Sequence, residues 1–360
     1  MINNILQKTV GVIIFMWICI IFAGCASAAK LAKVDATPQP LLAPVMINNK
    51  WGYINTSGQM VIPAKYDNTG GFSEGLAFVI LNGKAGYIDK TGREVVKLQY
   101  DMPSWGFREG LAPVSQNGKS GYINTNNEVV IPFQFEEADG FNFGVASVKI
   151  NGKWGAIDKA GKVVIPPQYN SRLEFIGGLA PIRVGDKRGF LDTSGTMIIQ
   201  PQKEYRNSTF SEGFAFVQEN WGHVNAGKGG FMDKTGKMVI PLQFDGGTYF
   251  REGLAAVRIG KGWGFIDKTG TFAIEPQPQI FLVGHFSEGV CAVQINGKWG
   301  GIDRTGKLII QPQFDDRFNF HNGYAAVVVN NFSKVGYIDR NGKMVIAPQY
   351  PFGRYPTAFN

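Results

Sequence analysis

The chain has 360 residues, 44% hydrophobic and 18% charged, with a formal net charge of +8 and a pI near 9.2. So much apolar content with so few charges excludes an intrinsically disordered chain. The even spread of 47 Gly and of 13% aromatic residues favours one repetitive body over two or three unlike domains.

In chain order, Lys8 comes first, followed by an apolar run at residues 10–23 and then small residues, the pattern of a secretory signal. The run is shorter than the roughly 20 residues a membrane-spanning helix needs, so cleavage is expected rather than an uncleaved anchor. Phe22-Ala23-Gly24-Cys25 resembles the bacterial lipobox, with Phe22 where that motif usually has Leu. The resemblance implies that Cys25 is acylated and becomes the new N-terminus. A competing cleavage after Ala28, within Ala26-Ser27-Ala28, would release a soluble secreted protein. A lipid anchor at the extracytoplasmic cell envelope is the expectation, since two acyl chains on one cysteine hold a protein to a membrane where one does not. Residues 26–41 are Ala- and Pro-rich without periodicity and read as a tether, leaving residues 42–360 as the folded body. Cys19 lies in the apolar run, so Cys291 is the lone thiol of the body and reads as a small buried hydrophobe.

From Leu42 onward the chain repeats itself. A glycine in a W-G or x-G-[YF]-[IL]-[DN] element recurs nine times, at Gly52, Gly86, Gly121, Gly155, Gly189, Gly230, Gly264, Gly300 and Gly336. A second glycine, in S-E-G-L-A and its variants, recurs from Gly75 to Gly323, with a Phe three residues before it every time, from Phe72 to Phe320. In one copy, the apolar run from Leu76 meets the two-residue turn Asn82-Gly83, whose positive φ suits a hairpin. A second strand ends at the turn Asp89-Lys90-Thr91-Gly92, and a third runs from Glu94 to Tyr100. The Pro of V-I-P (Pro63, Pro132, Pro166, Pro241) cannot donate to a ladder and must mark the end or the edge of the third strand. Each copy is therefore a three-stranded meander joined to the next through F-S-E-G. The periodic Phe is expected to be stacked core rather than a ligand ladder, and the Glu after it (Glu74, Glu109, Glu212, Glu252, Glu288) a backbone acceptor rather than an acid catalyst.

These residues resemble the WG repeat family, also called KWG repeats, over nearly everything from Leu42 to about Tyr355 in nine copies. Trp precedes the glycine in Trp51, Trp154, Trp263 and Trp299 and is replaced in the other copies, so the resemblance rests on the whole pattern. It implies a bacterial, frequently exported β-rich array with no generally established activity.

Apolar neighbours such as Val61-Ile62 and Ile309-Ile310 suggest that both faces of every sheet are buried between copies. No single copy could bury enough surface alone, so stability must accumulate along the array. Propeller blades usually carry four strands, and no borrowed strand to latch a ring is evident. The expected fold is thus all-β, an open superhelical stack of three-stranded meanders, with a closed β-propeller as the alternative.

Chemistry is sparse. His223, His285 and His321 are the only histidines, none with a Cys or His neighbour at ligand spacing, and no G-x-S-x-G, Walker A, H-E-x-x-H or EF-hand motif occurs. No catalytic residue, metal or cofactor is expected, and no enzyme activity. The sixth copy carries extra residues at 220–230, where Trp221 and His223 are the candidate ligand contacts, and the ninth adds two near Asn331-Phe332. Basic residues recur at two turns, Lys84, Lys119, Lys153, Lys187 and Lys298 at one, Lys90, Lys159, Lys234, Lys268, Arg304 and Arg340 at the other. They either solvate sheet ends or attract anionic surfaces. Nucleic acid is not expected of an exported chain. The first reading is an envelope scaffold binding a protein or an anionic glycan or wall polymer. The alternatives are a carbohydrate-active hydrolase and a purely structural spacer.

Overall fold

The computed structural model describes residues 40–103, 106–185, 187–202, 209–218, 227–351 and 359–360. Cys25, the tether up to residue 39, Trp221 and His223 lie outside the described residues. Every regular element among the described residues is a β-strand, and the strands form nine separate antiparallel sheets, one per copy.

The second copy shows the construction. Leu76–Leu81 pairs with Lys84–Asp89, which pairs with Glu94–Tyr100. The first turn has Asn82 at φ 51° and Gly83 at φ 73°, as the two-residue hairpin requires. At the second turn Asp89 Oδ1 accepts from the Thr91 and Arg93 amides, and Gly92 takes φ 86°. A fourth element, outside the three-stranded meander read from the sequence, precedes these three. Asn68–Thr69 pairs antiparallel with the far end of Leu76–Leu81, and the chain returns through the Ser73↔Leu76 bridge. Five sheets carry such a fourth strand, the longest being Leu282–Ser287; the others have three. It comes from the segment that follows the preceding copy, which is why counting strands copy by copy misses it.

The W-G glycine is explained by the third strand. In the first copy Trp51 faces Tyr66 and Tyr53 faces Ile62, so residues 63–65 bulge across Gly52. A Cβ at any of the nine glycines would lie 2.4–2.8 Å from a carbonyl oxygen of that strand, which only glycine permits. Pro63 and its equivalents lie inside the bulge on an edge strand and do not end it.

Burial is two-sided only in the middle of each sheet. Ile62, Ile131 and Ile240 are 1% exposed while their neighbours Val61, Val130 and Val239 are 38–42% exposed. The expectation that both faces of the third strand are covered therefore fails. The third strand is the outer edge, where neighbouring sheets diverge. The F-S-E-G segments, by contrast, touch one another from copy to copy: Ser73 Oγ donates to Phe107 O at 2.7 Å and Ser211 Oγ to Phe250 O at 2.7 Å. They form the inner wall.

The sheets close into a ring. Leu42 and Asn360 exchange both backbone hydrogen bonds, each 3.0 Å, as Ser73 and Leu76 do within the second copy. Phe359, fully buried, takes the place of the periodic Phe that the first copy lacks, with its ring 4.8 Å from Tyr337. Gly58 of the first copy packs on Ile346 of the ninth, as Gly92 packs on Ile62 between copies two and one. Ala43, Val45 and Ile54 share one apolar cluster with Val328, Tyr337 and Ile346. Of the two arrangements weighed, the all-β repeat thus takes the closed one rather than the open stack. The latch missing from the sequence pattern is the dipeptide Phe359-Asn360, beyond the last recognisable copy.

Candidate functional site: the inner wall and the two rims

The periodic Phe is core. All nine, counting Phe359, are at most 7% exposed. In seven of the nine junctions it meets the aromatic of the preceding x-G-[YF] element at 4.8–5.1 Å between centroids. The two exceptions are compensated. Where the aromatic is replaced by Ala156, Leu173 fills the space beside Phe175, and where it is replaced by Gly301, Phe318 does so beside Phe320.

The charged turn residues are largely committed to neighbouring copies. On the rim formed by the E-G turns, each Glu sits at φ 50–52° and reaches the next copy. Glu74 accepts from the Gly110 amide, Glu109 from Gly144, Glu212 from Gly253, Glu252 from Gly289 and Glu288 from Gly323. The basic residues of the neighbouring turn pair with the same carboxylates: Lys159 with Glu109, Lys268 with Glu212, Arg304 with Glu252 and Arg340 with Glu288. On the opposite rim Lys50, Lys84, Lys228 and Lys298 pair with Asp67, Asp101, Asp245 and Asp315. Those Asp carboxyls are held below the usual carboxylate range, chiefly by these lysine hydrogen bonds and also by turn amides. Both basic stripes are therefore in good part structural staples.

The staples lapse in places. Phe143, 51% exposed, and Gly177 stand at the Glu position in adjacent copies, and Ile176, just before Gly177, is 42% exposed. Phe332, in the ninth-copy extension, is 53% exposed with its amide on Asp315 at 3.2 Å.

The inner wall carries the aperiodic chemistry. Arg172 bonds Asp139 at 3.0 Å and Glu174 at 2.8 Å. On another part of the wall, Tyr249 stacks on His285 at 4.8 Å and its hydroxyl meets His285 Nε2 at 3.0 Å. Burial first, then the Arg317 and Arg251 cations, hold the His285 pKa down at about 4. Cys291 is buried behind this strand, its thiol pushed up to about 12 by burial. Among the described residues no group of three or more His, Cys, Asp and Glu could hold a metal. Sequence reasoning placed His285 near the connection but did not single out Arg251, which stands in F-R-E-G where Arg108 also stands, or Arg317.

The WG containing repeat family matches nine segments, from residues 51–84 through 336–354, covering most of the chain. The chain belongs to this family. Among solved structures, it is similar to one described as the eukaryotic initiation factor, at 11% identity over 87% of this chain and 96% of that one, with a TM-score of 0.58. That likeness shows the fold alone, and such structural neighbours are β-propeller-like. It also matches Hsv2p of Kluyveromyces lactis (9% identity, 66% of this chain and 92% of that, TM-score 0.40) and apo AztD from Citrobacter koseri (15%, 87% and 95%, TM-score 0.37). No curated protein matches.

Proposed function

We propose that the protein is a non-enzymatic binding scaffold of the cell envelope, tethered through acylated Cys25, that presents a rigid ring to a protein or anionic glycan partner. The carrying observation is how polar groups are distributed. The rim carboxylates named above are tied to backbone amides and basic side chains, and those of Asp67, Asp101, Glu212, Asp245 and Asp315 are held below the usual carboxylate range, the opposite of what protonating a leaving group needs. Departures from the repeat instead fall on the inner wall and on the E-G rim, at Arg172, Tyr249, His285 and Arg317 and at the exposed Phe143 and Ile176. A periodic frame that carries aperiodic residues at a few places is what a specific binding surface on a scaffold requires. The envelope location rests on the pattern of residues 8–25, and Trp221 and His223 remain candidate contacts on the sixth-copy insertion.

The test has two parts. Radiolabelled palmitate should enter the full-length chain expressed in a bacterium, and a Cys25→Ala variant should lose the label. Protein lacking residues 1–25, used in an envelope pull-down and on a glycan array, should retain a partner that Phe143→Ser with Ile176→Ser, or Trp221→Ala with His223→Ala, releases. Retention of nothing by either method would favour a passive spacer.

A further inference from the structure

Two junctions of the ring share one departure from the repeat, and comparing them exposes an unfilled position. At the copy-four to copy-five junction the wall aromatic is Ala156, Leu173 fills the space, and Arg172 lies three residues before the periodic Phe175. At the copy-eight to copy-nine junction the aromatic is Gly301, Phe318 fills the space, and Arg317 lies three residues before Phe320. The arginines are therefore in register. Arg172 reaches back to Asp139, two residues before Phe141, and also takes Glu174, one residue before its own Phe. At the second junction the matching positions are Gly284 and Asn319.

Arg317 nevertheless follows the same course. Its Cδ lies 3.2 Å from where a Cβ on Gly284 would stand, so its stem covers the residue in the position of Asp139. Its guanidinium has no carboxylate partner among the described residues. Arg251, on the inner wall of copy seven, likewise has none. Both cations act on the same half-buried His285 ring, which stays neutral and is braced by Tyr249.

We propose that the inner wall across copies seven to nine binds a small organic carboxylate, its oxygens taken by the Arg317 guanidinium as Asp139 and Glu174 are taken by Arg172. A planar guanidinium fits a carboxylate through two parallel hydrogen bonds, which a point cation does not offer. Arg251 adds favourable charge, and the Tyr249–His285 pair supplies a neutral flank with a ring face and a polar edge. The site shares Tyr249, His285 and Arg317 with the surface proposed above for a partner, but its test needs neither the anchor nor a macromolecular partner.

The experiment is an NMR titration of protein lacking residues 1–25, following the His285 imidazole and the arginine Nε signals at constant ionic strength. The probes are succinate, glucuronate and inorganic phosphate. The expected result is a saturable shift with a carboxylate probe, together with a His285 pKa that rises from about 4 as the nearby cations are neutralised. Arg317→Gln should weaken the carboxylate at least tenfold. Gly284→Asp should abolish its binding by placing an internal carboxylate on Arg317. Thermal unfolding of each variant serves as the control for folding, and if Gly284→Asp fails to fold the Arg317→Gln result decides. The proposal is overturned if no carboxylate shift saturates, if Arg317→Gln binds as the parent does, or if phosphate binds as tightly as the carboxylates.

Discussion

Truncating Phe359 to alanine is the sharpest perturbation of the ring, because it lies second from the end of the chain yet is fully buried. Its ring contacts Tyr337 at 4.8 Å and Tyr324 at 5.2 Å, and its carbonyl accepts from Asn322 Nδ2 at 3.1 Å. Phe141, deep in the middle of the chain, is equally buried and meets Tyr122 at 4.9 Å, so it is the natural comparison. Removing a buried Phe costs about 3–5 kcal/mol, made up of lost transfer energy and the cavity left behind. If the ring is closed, Phe359→Ala and Phe141→Ala should both fall in that range when measured by urea unfolding with an unchanged m-value. An open stack would leave the last residues at a frayed end, where truncation costs well under about 1 kcal/mol. A Phe359→Ala loss below about 1 kcal/mol, beside a full loss at Phe141, would refute the reasoning.

Other consequences follow from the same contacts. Gly155→Ala should prevent or severely impair folding, since its Cβ would meet Ile165 O at 2.4 Å, whereas Gly246→Ala, with nothing nearer than 3.7 Å, should unfold within about 1 kcal/mol of the parent. Glu288→Ala removes the acceptor for the Gly323 amide at 2.9 Å and the partner of Arg340, and should cost about 1–3 kcal/mol in the same assay. On acidification, His285 should act first. Its folded pKa near 4 lies below its ordinary 6.5, so the unfolded chain binds the proton first and stability declines as pH falls from 6.5 towards 4. Below the ordinary 3.8 of Asp, the depressed carboxyls of Asp245 and Asp315 add a second loss as they protonate; a His285→Gln variant should lose the first limb and keep the second. Cys291 in protein lacking residues 1–25 should resist iodoacetamide at pH 8 until the chain is denatured, and fast labelling of the native protein would contradict its burial.

Much of the fold was legible because its determinants are local. The Asn82-Gly83 and Asp89–Gly92 turns, the three strands and the buried Phe series all follow from short-range pattern and turn chemistry. Ring closure was not legible, because Phe359 carries no E-G after it and is separated from Phe320 by more than one ordinary repeat. The clue was a mismatch: nine W-G glycines but only eight connecting Phe residues before the C-terminus. The lysine stripes were visible, but not their partners, although Asp67, Asp101, Asp245 and Asp315 each stand 17 residues after their lysine. The pairing of Val61 with Ile62 misled because apolar character does not reveal which strand is the outer edge. The inner-wall cluster was hidden for a different reason. Tyr249, His285 and Arg317 come from three copies and meet only when the sheets are set side by side.

Closure itself is open to one direct measurement. In a deuterated protein lacking residues 1–25 with protonated Ile methyls and glycines, the Ile346 γ2 methyl should show an NOE to Gly58 Hα, because Ile346 Cγ2 lies 3.5 Å from the Cβ position on Gly58. A comparable cross-peak should link Ile62 to Gly92 within the chain, where the same contact joins copies one and two. Finding the Ile62–Gly92 cross-peak without the Ile346–Gly58 one would mean that the first and ninth copies are apart in solution and that the ring is open.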